Sequence, residues 1–143
     1  MAFKLVKGYN QAQQMFCGTS STIVQGNLVA YDRSNKKIIP YTAALLACDV
    51  AGVASNTPTS TDTQCMVIPP VGGQLWEYDT TNNTAAGDLC IRAVVTDALT
   101  VNNTGTDSTS AAAVVMTIEN AGAASAKKAR GFILGGTSPK ALS

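Results

Sequence analysis

Histidine is absent from this chain of 143 residues. Histidine is the commonest general acid or base at neutral pH and the commonest metal ligand, so its absence removes Ser-His and Cys-His catalytic pairs and most zinc sites. Charge is also scarce, because only 13% of the residues are charged and the net charge is +1. Such a chain has no long-range field for nucleic acid or for an anionic membrane, and free nucleic acid is not an expected partner.

Cysteine is sparse and widely spaced. The four cysteines are Cys17, Cys48, Cys65 and Cys90, and no two of them form a C-x-x-C pair. This spacing gives no support to a ribbon-type zinc site or to thioredoxin-like redox chemistry. The N-terminus has no apolar signal segment, so we expect synthesis in a reducing host cytoplasm and buried free thiols, although four cysteines also suffice for two disulfides.

Long apolar runs are missing as well, and none approaches the roughly 20 residues of a membrane-spanning helix, so no membrane partner is expected. Short apolar runs instead alternate with turn clusters at intervals of about 8 to 12 residues, which favours an all-β fold, either a β-sandwich or a small β-barrel. The predicted strands lie near Lys4–Val6, Thr22–Val24, Leu28–Tyr31, Lys37–Ile39, Gly52–Ser55, Cys65–Ile68, Gln74–Tyr78, Leu89–Thr96, Leu99–Val101, Ala113–Ile118 and Arg130–Leu134.

Other segments depart from this strand pattern. Residues 41–47 are rich in helix formers, and residues 119–128 suit either a short helix or a small-residue loop, so we expect at most one or two short helices. The polar residues 57–63 and 104–110 are predicted to be exposed loops. We expect an N-terminal arm over residues 1–16, followed by a single β domain over residues 17–143.

A phrase that occurs twice indicates an internal duplication. In the first half of the chain the pattern consists of Gln25–Val29 and, further along, Val50–Ala54. In the second half it consists of Ala86–Cys90 and, further along, Arg130–Leu134. Each half opens with a glycine and a short polar residue before a strand, and each closes with an apolar strand that contains a glycine. We therefore predict two similar β units.

Residues that could carry chemistry are few. Asp79, Asp88 and Asp97 are evenly spaced, but each borders a turn, where an aspartate commonly caps its own backbone. Gly72-Gly73 and Gly135-Gly136 lack the Lys-Ser/Thr of a phosphate-binding loop. With no nucleophile beside a base, we expect no enzyme, no cofactor, no metal and no small-molecule substrate.

Two groups of side chains are candidates for contact with a protein partner. Trp76 and Tyr78 share one face of a predicted strand and either fill the core, which we favour, or anchor an interface. Lys127, Lys128 and Arg130 form the densest basic group, which is either a solvated turn, the favoured interpretation, or a contact for an acidic protein patch.

The duplicated strands resemble a known family. Gly26-Asn27-Leu28-Val29 followed by Val50–Ala54, with Gly87-Asp88-Leu89-Cys90 followed by Arg130–Leu134, is similar to the small capsid decoration, or cement, proteins of tailed bacteriophages. In that family a G-D-L-V strand is followed by a v-x-G-v-a strand, and the pair recurs in the second half. The resemblance covers roughly residues 17–136, and the chain departs from it in Gly18–Thr22 and in the long Thr-rich loops.

The resemblance implies a β-rich protein, often a homotrimer, on the outer capsid surface of the virion. Such a protein clamps neighbouring subunits of the major capsid protein. We also expect the Lys4–Gln14 segment to act as an arm that pairs with the sheet edge of a neighbouring molecule. The candidate partner contacts are Phe3, Lys4, Leu5, Lys7, Trp76, Tyr78, Lys127, Lys128 and Arg130.

A second class of function is compatible with the same residues. Trp76, Tyr78, Tyr31 and Tyr41 are the aromatic side chains that a carbohydrate-binding or receptor-binding β module on a virion would use as a stacking platform. Aromatic residues make up only 6% of the chain, which is sparse for that purpose. Capsid decoration is therefore the favoured function.

Overall fold

The computed structural model of the chain describes residues 3–42, 49–82, 89, 92–95, 97–106, 114–120 and 127–134. Within these residues the regular structure is β-strand, and the predicted all-β class is confirmed. The strands are β1 (Phe3–Lys7), β2 (Gln13–Phe16), β3 (Leu28–Asp32), β4 (Lys37–Pro40), β5 (Val50–Ala54), β6 (Gln64–Ile68), β7 (Leu75–Thr80), β8 (Arg92–Val95), β9 (Thr100–Thr106), β10 (Val114–Asn120) and β11 (Lys128–Ile133).

Several predicted elements differ from the observed ones. The predicted strand at Thr22–Val24 is irregular, and the observed strand β2 was not predicted. Both helical segments fall mainly on residues 43–48 and 121–126, outside the described residues, while Glu119 and Asn120 belong to β10. The loop predicted for residues 104–110 begins instead with the last residues of β9, and its remainder lies outside the described residues.

The strands form two sheets with the same internal order. The first sheet has the order β2-β6-β5-β3-β4, and the second has β1-β7-β11-β10-β8-β9. If β1 is set aside, the two orders correspond strand by strand. The counterparts are β2 and β7, β6 and β11, β5 and β10, β3 and β8, and β4 and β9. We call β2–β6 the first unit and β7–β11 the second unit, and the predicted pair of similar β units is confirmed.

The repeat lies in the strand order and not in the repeated phrase. The phrase matched Val50–Ala54 with Arg130–Leu134, but Val50–Ala54 is β5, whose counterpart in the strand order is β10. Arg130 and the residues after it belong to β11, which is the counterpart of β6. Apolar strands that contain a glycine recur in both units, so a short phrase identified the duplication without aligning it.

The N-terminal segment belongs to the sheets, which corrects the expectation of a separate arm over residues 1–16. Strand β1 pairs antiparallel with β7, with Phe3 opposite Tyr78 and Leu5 opposite Trp76. Strand β2 pairs antiparallel with β6. The side chains of Phe3 and Leu5 and the backbone groups that pair with β7 are therefore used inside this chain, while Val6 is 40% exposed.

Two apolar cores result from the alternation of side chains along the first sheet. The shared core lies between the sheets and contains Phe3, Leu28, Ala30, Tyr41, Val50, Val53, Trp76, Tyr78, Ala93, Val95, Val101, Val115, Ala129 and Ile133. The first-unit core lies on the other face of the first sheet and contains Cys17, Ile23, Val29, Ile38, Ala51, Ala54, Cys65 and Val67. The central strands β3 and β5 of the first sheet therefore have side chains in both cores, and every residue of β5 is buried.

Gly52 is required where β5 passes between its neighbours. Its φ is +146°, and a Cβ added there would lie 2.2 Å from the carbonyl oxygen of Ile68 and 2.8 Å from Cγ1 of Val67. The register between β3 and β5 shifts at the adjacent pair, between Val29 and Ala30. A side chain at this position therefore meets a fixed backbone atom of β6.

We predict that Gly52→Ala lowers the free energy of unfolding by about 2 kcal/mol or more, through backbone strain and the forced separation of β5 from β6. Gly72→Ala is the control, because no heavy atom lies within 4 Å of its added Cβ, and its effect should be within about 0.5 kcal/mol. Urea denaturation measures both variants. Equal stability of the two variants would contradict the assigned role of Gly52.

Candidate interaction surfaces

Three of the nine candidate contact residues are buried inside the chain. The exposed fraction is 1% for Phe3, 1% for Trp76 and 0% for Tyr78, and all three side chains belong to the shared core. This corrects their inclusion among the partner contacts, because no partner can reach them in the folded chain. For Trp76 and Tyr78, the favoured interpretation as core residues is the one the structure supports.

A buried glutamine explains how the polar edge of Trp76 is accommodated. The Trp76 Nε1–H donates to Oε1 of Gln74 at 3.3 Å, and the same oxygen accepts the Val71 backbone N–H at 2.8 Å. The Gln74 Nε2 group donates to the carbonyl oxygens of Tyr9 and Pro69 at 2.8 and 3.0 Å. Gln74 therefore ties the segment between β1 and β2 to the turn before β7.

The basic candidates meet acidic partners on the outer face of the second sheet. Glu77 lies opposite Lys4 in β1 and opposite Arg130 in β11. Arg130 Nε lies 3.1 Å from Glu77 Oε2, and Lys128 Nζ lies 2.7 Å from Asp79 Oδ1. The hydrogen bond with Asp79 raises the pKa of Lys128. We call Lys4, Glu77, Asp79, Lys128 and Arg130 the ion-paired face.

The ion-paired face carries an ordered pattern of charge with little net charge. Lys7 and Lys127 are exposed on the same sheet and add two positive charges, while Leu5 is half-buried against the shared core. Exposed ion pairs contribute little to stability, typically about 0 to 1 kcal/mol. The face is therefore suited to short-range, oriented contact with a complementary surface.

Asp79 and Asp97, two of the three evenly spaced aspartates, lie in separate environments. Asp79 forms the ion pair with Lys128 within β7 and caps no turn, which differs from the prediction. Asp97 Oδ1 accepts the Leu99 backbone N–H at 2.8 Å, as predicted for a turn. Asp88 lies outside the described residues. Within the described part of the chain, no group of His, Cys, Asp or Glu is arranged to hold a metal ion.

The aromatic stacking platform is not assembled at the surface. Trp76, Tyr78 and Tyr41 are at most 1% exposed, and only Tyr31 of the four, at 44%, is open to solvent. A sugar ring stacks on an accessible aromatic face, so three of these four side chains are unsuited to that role.

An apolar groove that sequence reasoning missed lies beside β2. It has a volume of about 510 Å³ and is lined by Met15, Phe16, Tyr31, Asp32, Arg33, Lys36, Lys37 and Ile38. Phe16 and Tyr31 are 53% and 44% exposed. The adjacent Met15-Phe16 pair was the available signal, but it fell in the segment assigned to an arm. The groove exists because β2 approaches the end of β4 without pairing along its length.

The two cysteines in the described residues are free and buried in the first-unit core, and Cys48 and Cys90 lie outside those residues. The Cys65 Sγ lies 3.4 Å from Oδ1 of Asn56, to which it donates. Burial, together with the neighbouring Cys17, raises the pKa of Cys65 to about 11. Because the thiolate is the reactive form, Cys65 is an inert core residue near neutral pH.

The raised pKa of Cys65 predicts a loss of stability in alkaline solution. Above the ordinary pKa of about 9, the unfolded chain releases the thiol proton and the folded chain keeps it. This group's contribution is therefore complete below pH 9 and is lost as the pH rises toward 11, by at most about 1.4 kcal/mol per pH unit. Urea denaturation from pH 7.5 to 10.5 should show this slope, and Cys65→Ala should remove it. An unchanged slope in Cys65→Ala would contradict the assignment.

Gln74→Met is expected to destabilise the fold, because it leaves four polar groups, among them the buried Nε1–H of Trp76, without the hydrogen bonds that Gln74 makes. We expect a loss of about 2 to 4 kcal/mol in the free energy of unfolding. Gln25→Met is the matched control, since Gln25 is exposed. Urea denaturation followed by the fluorescence of Trp76, the single tryptophan, measures both. Equal effects of the two changes would contradict this role.

Comparison with known proteins found no similar protein. In the described part of the chain, no helix has the length and apolar character needed to cross a membrane. No family model matches the chain, and no curated protein or solved structure matches it. Its function is therefore inferred from its own residues and fold.

Proposed function

We propose that this chain is a structural capsid decoration protein, bound to the outer surface of a phage head, that stabilises contacts between neighbouring subunits of the major capsid protein. The observation that carries the proposal is the repeated strand order of the two units. A recurring strand pair is the pattern through which the sequence resembles the decoration proteins. The support lies in the repeated arrangement of strands, because the repeated phrase of the sequence pairs β5 with β11, which are not counterparts in the two sheets.

The surface chemistry supports a protein that makes contacts and performs no chemistry. On the second sheet Lys128 pairs with Asp79 and Arg130 pairs with Glu77, and the described residues bring together no group suited to bind a metal. The remaining candidate contacts lie on β1 and beside or within β11, which flank β7 in that sheet. They are Lys4, Leu5, Lys7, Lys127, Lys128 and Arg130.

The proposed mechanism is a preference for the intact shell. A protein that binds the assembled lattice and not the separated subunits stabilises the assembly by its binding free energy. In a homotrimer, the second and third contacts become intramolecular once the first has formed, so three modest contacts hold far longer than one. This mechanism requires no catalytic group and no cofactor.

The test is co-sedimentation of the purified chain with expanded empty heads of the phage that encodes it, with light scattering to determine its mass free and bound. We expect saturable binding in multiples of three and heads that resist disruption at higher temperature. Absence of binding to heads, or specific binding on a glycan array, would overturn the proposal.

Charge variants test which face touches the capsid. Lys4→Gln combined with Lys7→Gln removes two exposed charges from β1 and should weaken binding about fivefold or more per protomer, or about 1 kcal/mol. Ser60→Glu combined with Thr61→Glu is the control, because it changes the net charge by the same amount in a distant exposed loop. Equal weakening by both pairs would show that net charge matters and that the β1 face is not the contact.

A further inference from the structure

The two units differ at one edge, because β7 pairs there with both β1 and β9, whereas its counterpart β2 has neither pairing among the described residues. In the second unit, β1 pairs with β7 on the side away from β11. The counterpart of β7 in the first unit is β2, which pairs with β6 as β7 pairs with β11. Among the described residues, no strand pairs with the other edge of β2. The first unit therefore lacks the strand that β1 supplies to the second.

The strand pairings identify equivalent positions in the two units. Tyr31 lies opposite Ile38 across β3 and β4, as Val95 lies opposite Val101 across β8 and β9. Met15 lies opposite Cys65 in the first unit, as Tyr78 lies opposite Ala129 in the second. Met15, Tyr31 and Ile38 of the apolar groove thus correspond to Tyr78, Val95 and Val101.

In the second unit, β1 helps to cover these positions. Phe3 of β1 lies opposite Tyr78, and the two ring centroids are 5.8 Å apart. Phe3 is only 1% exposed, and Tyr78, Val95 and Val101 are 0% exposed. An added antiparallel strand with a bulky apolar side chain is therefore part of how this sheet completes its core.

In the first unit, the equivalent positions form the apolar groove. Ile38 is buried at its floor, Met15 is half-buried, and Tyr31 is 44% exposed. The groove lies between β2 and β4, whose counterparts β7 and β9 pair with each other in the second unit, and no described strand with a residue like Phe3 covers it. An open sheet edge beside exposed apolar side chains is the arrangement to which an extended segment adds as a further strand.

The charges on the rim of the groove select the occupant. Four charged residues line it, Arg33, Lys36, Lys37 and Asp32. Arg33 forms an ion pair with the buried Asp49, so the two lysines against one aspartate leave an excess of one positive charge. A copy of β1 from a second molecule carries Lys4 and Lys7 and no acidic residue, so it would add positive charge to an edge that already has an excess of it. Acidic side chains would be attracted.

We propose that an extended segment of another protein, with a bulky apolar side chain followed by acidic residues, adds to the edge of β2 as an antiparallel strand and inserts that side chain between Met15, Tyr31 and Ile38. The segment occupies the place that β1 takes beside β7. The inference does not depend on capsid decoration, because it rests only on strand pairings, exposure and charge within this chain.

A synthetic peptide tests the proposal with the intact chain. The probe is a fluorescent peptide of residues 2–8 in which both lysines are replaced by glutamate. We expect it to bind at least tenfold more tightly than the same peptide with its phenylalanine replaced by alanine, and more tightly than the unaltered basic peptide, as measured by fluorescence anisotropy. Added salt should weaken the binding of the acidic probe.

Variants of the chain locate the binding site. Tyr31→Ser should weaken binding of the acidic probe at least fivefold, and Lys36→Glu combined with Lys37→Glu should reverse the preference toward the basic peptide. Tyr9→Ser is the matched control, because Tyr9 is 45% exposed, close to the 44% of Tyr31, and does not line the groove. It should leave binding unchanged.

Amide hydrogen exchange supplies a readout at the strand itself. Outward-facing amides of β2 should exchange faster than those that bond β1 to β7, and the probe should slow them. The proposal is overturned by equal binding of the phenylalanine and alanine probes, by equal weakening in Tyr9→Ser and Tyr31→Ser, or by β2 amides already as protected in the free chain as those of β1.

Discussion

The contact between the two sheets is the interaction on which the rest of the structure depends. The shared core takes side chains from both units, among them Leu28 and Val53 from the first and Trp76 and Tyr78 from the second. Alternation along β3 sends Leu28 and Ala30 into this core and Val29 into the first-unit core. Because β3 and β5 have buried side chains on both faces, these two strands have little freedom to slip in register.

The same packing explains why β5 accepts no side chain at Gly52 and why a polar residue as large as Gln74 is tolerated inside. Gly52 lets the backbone of β6 come close, and Gln74 satisfies all of its own hydrogen-bonding groups against neighbouring loops. Both residues act at places where the units meet their connecting segments. Close packing, and not a network of charges, holds the fold together.

The equivalent edges of the two units differ, and this difference links the fold to the proposed function. β1 completes the second unit, and its presence beside β7 leaves a paired set of charges on the outer face. The first unit has no described strand in the equivalent place and carries the apolar groove there. A duplicated scaffold in which one unit has β1 along this edge and the other has no described strand there has a surface suited to a partner, in keeping with the structural role proposed above.

The sequence alone determined the all-β class, the duplication and most strands, because alternating apolar residues bounded by turn residues leave little choice of local structure. It also favoured burial for Trp76, Tyr78 and the free cysteines. Only the tertiary structure decided that β1 pairs with β7, that Gln13–Phe16 is a strand, and that β5 corresponds to β10. These features depend on partners distant in the chain: β2 is a short polar segment whose backbone is ordered by β6. The local sequence pattern does not indicate which edge of a sheet remains unpaired.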